Sequence, residues 1–526
     1  MSVPVPSVPR LTVKDQNRYT ASTGEPPASI TDESWRLKIY SVLVALCIVR
    51  LWLMPMTSSL WLDETTTYWS AYKGIGAALS RSQFWPGQNA VFSIIEAVAI
   101  RLAGHSEFVL RLPSLLAALG TVWLFLRLGT RLLDRETAAL SLVVFASSQE
   151  MFETTANARP YALGLFFVVA STWALVRWLD TGRKRDLLSY VLLAAAVPYF
   201  HYLFATIFIV HAIYAGYRIQ PEPRQRFWHG ALAAPVILVL VSPLWWNAAH
   251  HKHISTGASF TSTPDFQKLF SAEMPAVLGA GIFLGLLLGF ALYRTVKAEN
   301  VVEPGADTFL LLILWFLVPI FLMFVVSRVS GFKVFVSRYY LPAFPPLALL
   351  VGWGIRNLSQ KIRVVVAGAV VLVAIASFGT HHLWVNPYLE DWRGAAKEIR
   401  RANLDQSTPV LVRTGLIETA NPTWSPEPDP DSPLLSPLSK YPVFGRIFLV
   451  PTGISDPSER YMDNLSRSIL GTAPEFVYMT RDIGDPYEAW LRGRFSTQFA
   501  VSKLGHPDGV SVLLFRRVEP GKNPRR

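Results

Sequence analysis

The sequence predicts a polytopic α-helical membrane protein of about eleven transmembrane helices, followed by a small C-terminal extracytoplasmic α/β domain. Three observations predict it. The 526 residues are 51% hydrophobic and 13% aromatic but only 16% charged, against about 25% charged in soluble domains. The apolar residues gather in long runs, and a helix needs about 20 of them to cross the hydrocarbon. Beyond residue 384 the pattern changes to short alternating runs separated by helical stretches. The net charge of +12 would point to nucleic acid in a soluble protein. Here much of it sits in short loops between apolar runs, so membrane lipids are the expected partner and nucleic acid is not. The single cysteine, Cys47, lies in the first apolar run, which leaves no intrachain disulfide and no cysteine-based metal spacing.

Taken in order, residues 1–36 are rich in Pro, Ser and Thr and read as a disordered cytoplasmic tail without a cleavable signal peptide. Residues 37–383 form the transmembrane domain. Its first span, Lys38–Met56, within which Tyr40–Met56 serves as an uncleaved signal anchor, leads into a first outer loop, residues 57–109. In that loop Asn89–Ala103 is apolar but interrupted by Glu96 and Arg101, which fits a helix lying on the membrane face. The further spans are Leu110–Leu133, Thr137–Phe152, Tyr161–Leu179, Leu187–Val197, Tyr199–Tyr217, Gly230–Trp246, Ala272–Tyr293, Thr308–Val326, Val336–Ile355 and Ile362–Phe378. The pair divided by Pro198 is short and equally readable as one kinked segment. With the N-terminus cytoplasmic, dense basic clusters such as Arg127, Arg131 and Arg135, or Arg177, Arg183, Lys184 and Arg185, fall in inner loops. Trp61, Trp69, Trp85, Trp245, Trp246 and Trp384 fall at outer boundaries, as an aromatic belt requires. An odd number of spans places the C-terminal domain outside a bacterial-type cytoplasmic membrane.

The C-terminal domain, residues 384–526, starts with an amphipathic helix on which Trp392, Ala395, Ala396 and Ile399 share a face and Asp391 is the N-cap. Strands follow at PVLVRT, GRIFLVPT, EFVYMT, STQFAVSK and GVSVLLFRR, with helices around Glu459–Leu470 and Tyr487–Arg494. NPTWSPEPDPDSPLLSP is a proline-rich loop inside the domain.

The chemistry-bearing residues collect at the outer ends of spans. Asp63 and Glu64, in LWLDETTTYWS, sit between apolar neighbours that partly desolvate them. The competing reading is a helix start, with Asp63 as cap and Glu64 favouring the positive end. In QEMFETTANARPYALG, Arg159 and Tyr161 flank a proline that opens a helix. Arg159 either reaches for lipid headgroups or adds to a field that favours anions, with Glu150 and Glu153 as acids able to pair with it. His201 and Tyr202 lie among apolar residues, where a lone histidine is more often a hydrogen-bonded structural residue than a catalyst. His250, His251, Lys252 and His253 have a spacing that could hold a metal, but no matched carboxylate accompanies them and they read as a solvated loop. In SRVSGFKVFVSRYYLPAFPP, the residues Arg328, Lys333, Arg338, Tyr339 and Tyr340 lie on the face where positive charge is disfavoured. Together these ends supply an acid able to take a proton from a hydroxyl and cations able to stabilise a departing phosphate.

Four stretches in this order, WLDETTTYWSA, EFVLRLPSLLAALGTVWLF, ANARPYALGLF and SRYYLPAFPPLALL, make residues 37 to about 400 similar to the GT-C class of polytopic glycosyltransferases. The resemblance is to the bacterial branch related to dolichyl-phosphate-mannose protein mannosyltransferases and to aminoarabinose and galacturonosyl transferases, the family 39 type. It implies inverting transfer of a sugar from a polyprenyl-phosphate donor to a lipid, surface glycan or protein hydroxyl, with no cofactor and no catalytic metal. By position in the motifs, Asp63 is similar to the family's first-loop acid, a base or acceptor-orienting group, with Glu64 its neighbour; the catalytic pair is Asp63 and Glu64, and either can be the base. Arg159, Tyr161, His201, Tyr202, Lys333, Arg338 and Tyr339 are then donor- or phosphate-binding. Trp85-Pro86-Gly87 stands where many relatives carry His-Pro, and no β-trefoil-like insert is present, which moves the expected acceptor from protein toward lipid or surface glycan. The alternative class is a secondary transporter or flippase of a lipid-linked or anionic substrate. Such proteins keep ionisable groups at the bilayer midplane and often repeat their halves, and no repeat is visible here.

Overall fold

The computed structural model describes residues 30–84, 90–219, 224–250, 263–273, 275–293, 303–330, 332–379, 390–419, 429, 431–482 and 485–518. The tail up to residue 29, Trp85-Pro86-Gly87, Trp384, the loop His251–His253 and most of the proline-rich loop lie outside them.

The first helix, α1 (Ile30–Cys47), begins inside the expected tail, because Arg36 is buried against Glu136 at 2.9 Å. It continues through a π-helical turn, Ile48–Leu53, and a 3-10 turn, Met54–Thr57, into the first loop. That loop carries α2 (Leu62–Ala71), α3 (Ile75–Arg81) and α4 (Ala90–Ala103). The membrane part follows with α5 (Glu107–Leu132), α6 (Arg135–Ala146), α7 (Gln149–Thr155), α8 (Tyr161–Thr181), α9 (Lys184–Phe200), α10 (Ile207–Ile219), α11 (Arg224–His250), α12 (Phe266–Glu273), α13 (Ala276–Tyr293), α14 (Ala306–Val329), α15 (Phe344–Arg356) and α16 (Gln360–Gly379).

Among the described residues six helical segments are long and apolar enough to cross a bilayer: Ser34–Thr57, Glu107–Leu132, Tyr161–Thr181, Tyr202–Ile219, Ala306–Val329 and Gln360–Phe378. Three shorter apolar helices, Gly230–Leu244, Ala276–Leu292 and Leu341–Arg356, accompany them, so the expected count of eleven is not reproduced. Two expected spans differ for identifiable reasons. Thr137–Phe152 breaks after Ala146, since the Ser148 hydroxyl caps a new helix by accepting from the Met151 N–H at 3.1 Å. Val336–Ile355 opens instead with two 3-10 turns, Ser337–Tyr339 and Leu341–Ala343, and α15 starts only at Phe344, with proline in its first turn. The first departure places its polar residues on a separate short helix, α7, and the second on 3-10 turns. The runs around Pro198 form two helices, α9 and α10, joined through an extended His201 and a 3-10 turn, Tyr202–Thr206. Elsewhere α13 lies against α16 closely enough that a Cβ on Gly281 or Gly285 would meet the Cα of Val370 or Val366 at 2.8 or 2.6 Å.

At the C-terminus, α17 (Trp392–Arg401) is capped by Asp391, whose Oδ1 accepts from the Gly394 N–H at 2.8 Å, and it buries Trp392, Ala395, Ala396 and Ile399 as expected. All five anticipated strands form: β1 (Pro409–Arg413), β2 (Arg446–Leu449), β3 (Glu475–Arg481), β4 (Phe499–Lys503) and β5 (Val510–Arg517), in sheet order β2-β1-β3-β5-β4. β1 runs parallel to β2 and β3, while β5 is antiparallel to β3 and β4. Between the strands lie α18 (Ser436–Lys440), α19 (Asp456–Leu465) and α20 (Tyr487–Phe495).

The period-2 alternation sends the two faces of the sheet to different cores. Leu411, Phe476, Tyr478, Leu513 and Phe515 pack with α19 and α20. Val410, Val412, Val477, Met479, Val512 and Leu514 pack with α17 and, in the same cluster, with Leu60, Trp61, Leu62, Tyr68 and Trp69 of the first loop. The C-terminal domain therefore shares its core with α2.

Candidate active site

Adjacent positions on a helix point about 100° apart, and α2 uses that angle to give Asp63 and Glu64 different fates. Glu64 is turned inward and has no exposed surface. Its Oε1 accepts from Arg111 Nε (2.7 Å) and the Ala158 N–H (2.7 Å). Its Oε2 accepts from Arg111 Nη2 (2.6 Å) and the Trp61 N–H (3.1 Å). The last bond closes the N-terminus of α2, so the capping expected of Asp63 is done by Glu64. Arg111, also without exposed surface, donates in addition to the carbonyls of Pro55, Met56, Ser58 and Ser59 and to the Ser58 hydroxyl. One buried ion pair thus joins the end of the first span, the first loop, α5 and the second loop. With every oxygen occupied, Glu64 has no free lone pair facing a cavity, which corrects its expected place beside Asp63 as a reacting group.

Asp63 keeps a quarter of its side chain exposed, and its Oδ2 stands 4.0 Å from Arg338 Nη1. Its backbone carbonyl accepts from Arg159 Nη1 at 3.3 Å, and the same nitrogen lies 3.4 Å from the Thr67 hydroxyl. The second loop is held for this by Ala158 on Glu64, by Trp61 Nε1 donating to Asn157 Oδ1 at 3.2 Å, and by the Ser114 hydroxyl donating to the Arg159 carbonyl at 3.1 Å. The last loop supplies Arg338, whose guanidinium lies 5.4 Å from the Tyr339 ring centroid, as Arg159 lies 5.8 Å from that of Tyr161. Asp63, Arg159, Tyr161, Arg338 and Tyr339 are thereby brought together from three loops.

His201 joins them as packing. Its ring lies 5.4 Å from Tyr161, 5.2 Å from Tyr339 and 4.5 Å from Phe204. Burial, with Arg159 and Arg338 nearby, pushes its pKa down to about 3, so the ring is neutral. Tyr202 is half-buried at the start of the 3-10 turn and packs on the membrane core. Lys333 folds back on α14, its Nζ donating to the Ser327 carbonyl at 3.0 Å.

Glu153 feels the charge of Arg338 and accepts from Gln149 at 2.6 Å, while burial raises its pKa. Glu150, on the same short helix, is pushed up to about 7 by burial. Both acids raise the pKa of Tyr340, a smaller effect than that hydroxyl's burial. The charges that act on Arg159 are instead those of Asp63, Tyr161 and Arg338. Two further acids reach toward Asp63 from the C-terminal domain. Glu390 is buried; its Oε2 accepts from the Leu62 N–H (2.9 Å) and Trp392 Nε1 (3.0 Å), and its Oε1 pairs with Arg481 at 2.7 Å. Glu418, after β1, is half-buried, and desolvation raises its pKa with a smaller contribution from Asp63.

Arg111, Asn157 and Glu390 escaped the sequence reading. Arg111 carried a signal: it is a cation on the face where positive charge is disfavoured, the criterion that singled out Arg338. Glu390 carried none, since nothing in the sequence tells which loop backbone it meets.

Residues 90–246 match the family model of dolichyl-phosphate-mannose-protein mannosyltransferases. No curated protein matches the sequence significantly. In fold the chain is similar to the crystal structure of ArnT from Cupriavidus metallidurans in the apo state, with 13% identity and a TM-score of 0.53 over 90% of this chain and 97% of that one. It is similar to the same protein bound to undecaprenyl phosphate, with 12% identity and a TM-score of 0.53 over 92% and 99%. At such identities the likeness speaks for the fold, and the family model supplies the sequence link. Residues 90–246 thus carry the sequence signature of the protein-mannosyltransferase family model, and the chain as a whole has an ArnT-like fold.

Proposed function

We propose that the protein transfers a sugar from a polyprenyl-phosphate donor to a hydroxyl acceptor, a lipid or surface glycan before a protein, at the outer face of the cytoplasmic membrane. The observation that carries the reading is the convergence of Asp63, Arg159 and Arg338 from three separate loops. In the proposed step the Asp63 carboxylate accepts the proton of the acceptor hydroxyl. The oxygen then attacks the anomeric carbon on the face opposite the phosphate. The bond between that carbon and the phosphate oxygen breaks, and its electron pair leaves with the polyprenyl phosphate, so the configuration inverts. Arg159 and Arg338 hold the charge that develops on the leaving phosphate, for which a planar guanidinium is well shaped. Tyr161, His201 and Tyr339 form an aromatic wall beneath these cations. Glu64 acts as a positioning residue through Arg111 and Ala158.

That ArnT has been crystallised with undecaprenyl phosphate supports a donor of this class, and a site on the outer face, as proposed, calls for one delivered by the membrane. The test compares lipids and surface glycans, by mass spectrometry, from cells with and without the protein and with Asp63→Asn. Loss of one sugar modification in both the null strain and the variant, with the variant expressed and folded, is the expected result. Unchanged glycans together with altered export of a lipid-linked substrate would favour the transporter.

A further inference from the structure

A groove of about 780 Å³ opens on the membrane-facing surface between α1, α5 and α6, away from the candidate active site. Its walls are apolar, with Leu37, Val44, Ile48, Val122, Leu126 and Leu142 among the lining residues. At one end stand Arg127, Arg131 and Arg135. That end is opposite the site, because α5 enters from the first loop at Glu107 and finishes beside Arg131. The density of arginine marks this face as cytoplasmic.

Two features give the groove an occupant. The first is length. Leu37 to Ile48 on α1 covers about 16 Å at the helical rise, close to the ~15 Å of one leaflet of hydrocarbon. The second is charge. Arg131 is paired with Asp180 at 2.5 Å, and Asp180 is shared with Arg218. Arg127 lies 5.3 Å from the Trp123 ring centroid, and among the described residues no carboxylate pairs with it or with Arg135. Three guanidiniums with half a share in one acid leave a net positive mouth on an apolar slot of one-leaflet depth.

We propose that this groove is a binding site for one anionic diacyl phospholipid of the cytoplasmic leaflet. Its phosphate is held between Arg127 and Arg135, and an acyl chain lies along α1. The exposed indole of Trp123 sits beside that chain. Basic pockets between helices on this side of a membrane suit such headgroups, and a lipid bridging α1 to α5 and α6 would brace the helix that leads into the loop of Asp63.

The full chain is purified, delipidated and offered phosphatidylglycerol or phosphatidylcholine, and native mass spectrometry counts the lipid retained. One phosphatidylglycerol per chain, held at least tenfold more tightly than phosphatidylcholine, is expected. Arg127→Gln with Arg135→Gln reduces that retention at least tenfold, and so does Ala45→Trp, which fills the slot but leaves the cations in place. Brominated phosphatidylglycerol quenches a tryptophan signal that disappears in Trp123→Phe, a conservative change at the exposed rim that leaves the arginines in place. Equal retention of the two lipids, retention unchanged in the variants, or no Trp123-dependent quenching overturns the proposal. Preference for polyprenyl phosphate over phosphatidylglycerol does so too, since the groove would then be a path for the donor.

Discussion

Replacing Glu64 by glutamine separates a structural acid from a chemical one. The carboxylate has four donors, two from Arg111 and one each from Trp61 and Ala158. Neither member of the pair has exposed surface. Glutamine keeps the shape but removes the charge and turns an NH2 group toward donors, leaving the Arg111 guanidinium buried and uncompensated. Breaking a buried pair in this way costs about 3–5 kcal/mol. At the ~2 °C per kcal/mol of a large domain, that is a fall of about 6–10 °C in melting temperature. Scanning fluorimetry on detergent-purified protein reads it directly. Arg111→Gln should fall by a similar amount, and the double variant should recover part of the loss, because each single change strands the other member of the pair. A Glu64→Gln protein that melts like the parent yet has lost transfer would refute this reasoning and return Glu64 to the chemistry.

Arg338→Ala should reduce turnover far more than donor binding and leave the melting temperature nearly unchanged, with Arg338→Lys partly active. Equal losses in both variants would mean that positive charge alone contributes nothing, and a fully active lysine variant that the fork geometry is irrelevant. Glu150 has a pKa raised to about 7 in the folded chain, so its contribution to stability is fully present below about pH 4.5 and is lost as pH rises to 7. Glu150→Gln should therefore melt above the parent at pH 8 and with it at pH 4; an offset that does not vary with pH counts against the assignment. Glu390→Leu removes the acceptor of the Leu62 N–H and strands Arg481. Transfer should fall by tenfold or more while donor binding persists, and limited proteolysis should cut between the C-terminal domain and the first loop; an intact, active variant contradicts that.

The sequence read the C-terminal domain well because its signals are local. Strands there alternate in period 2, helices carry caps such as Asp391, and both survive whatever the domain packs against. In the membrane part the same logic failed where apolar content hid punctuation. Ser148 ends one helix and starts another inside a run that hydropathy joins, and the prolines after Tyr340 delay α15. Those two places put Glu150 and Glu153 on a separate short helix and Arg338 and Tyr339 on a 3-10 turn. Asp63, Arg159 and Arg338 were legible as polar residues at outer span ends, whereas their meeting depended on Arg111 and Glu390, whose partners lie 47 and 328 residues away. Pairings at such separations leave no trace in composition or periodicity.

The placing of α2 explains why two acids stand side by side where the first span ends. From below, the Glu64–Arg111 pair fixes the helix to α5 and the second loop. From above, Glu390 takes the Leu62 N–H, and the Tyr441 hydroxyl accepts from the Leu60 N–H at 2.8 Å. At the far end Asp431 accepts from Tyr72 and pairs with Lys73 and Arg81. A helix of ten residues is short for independent stability in water, so its position must come from these anchors. Only Asp63, lying between them, faces outward with a cation as its neighbour. In the proposed step the proton-accepting carboxylate gains from this, because its backbone is fixed before substrate arrives and little reorganisation remains for the reaction itself. The C-terminal domain is then part of the site's construction, and detaching it should abolish transfer even though Asp63, Arg159 and Arg338 all lie outside it.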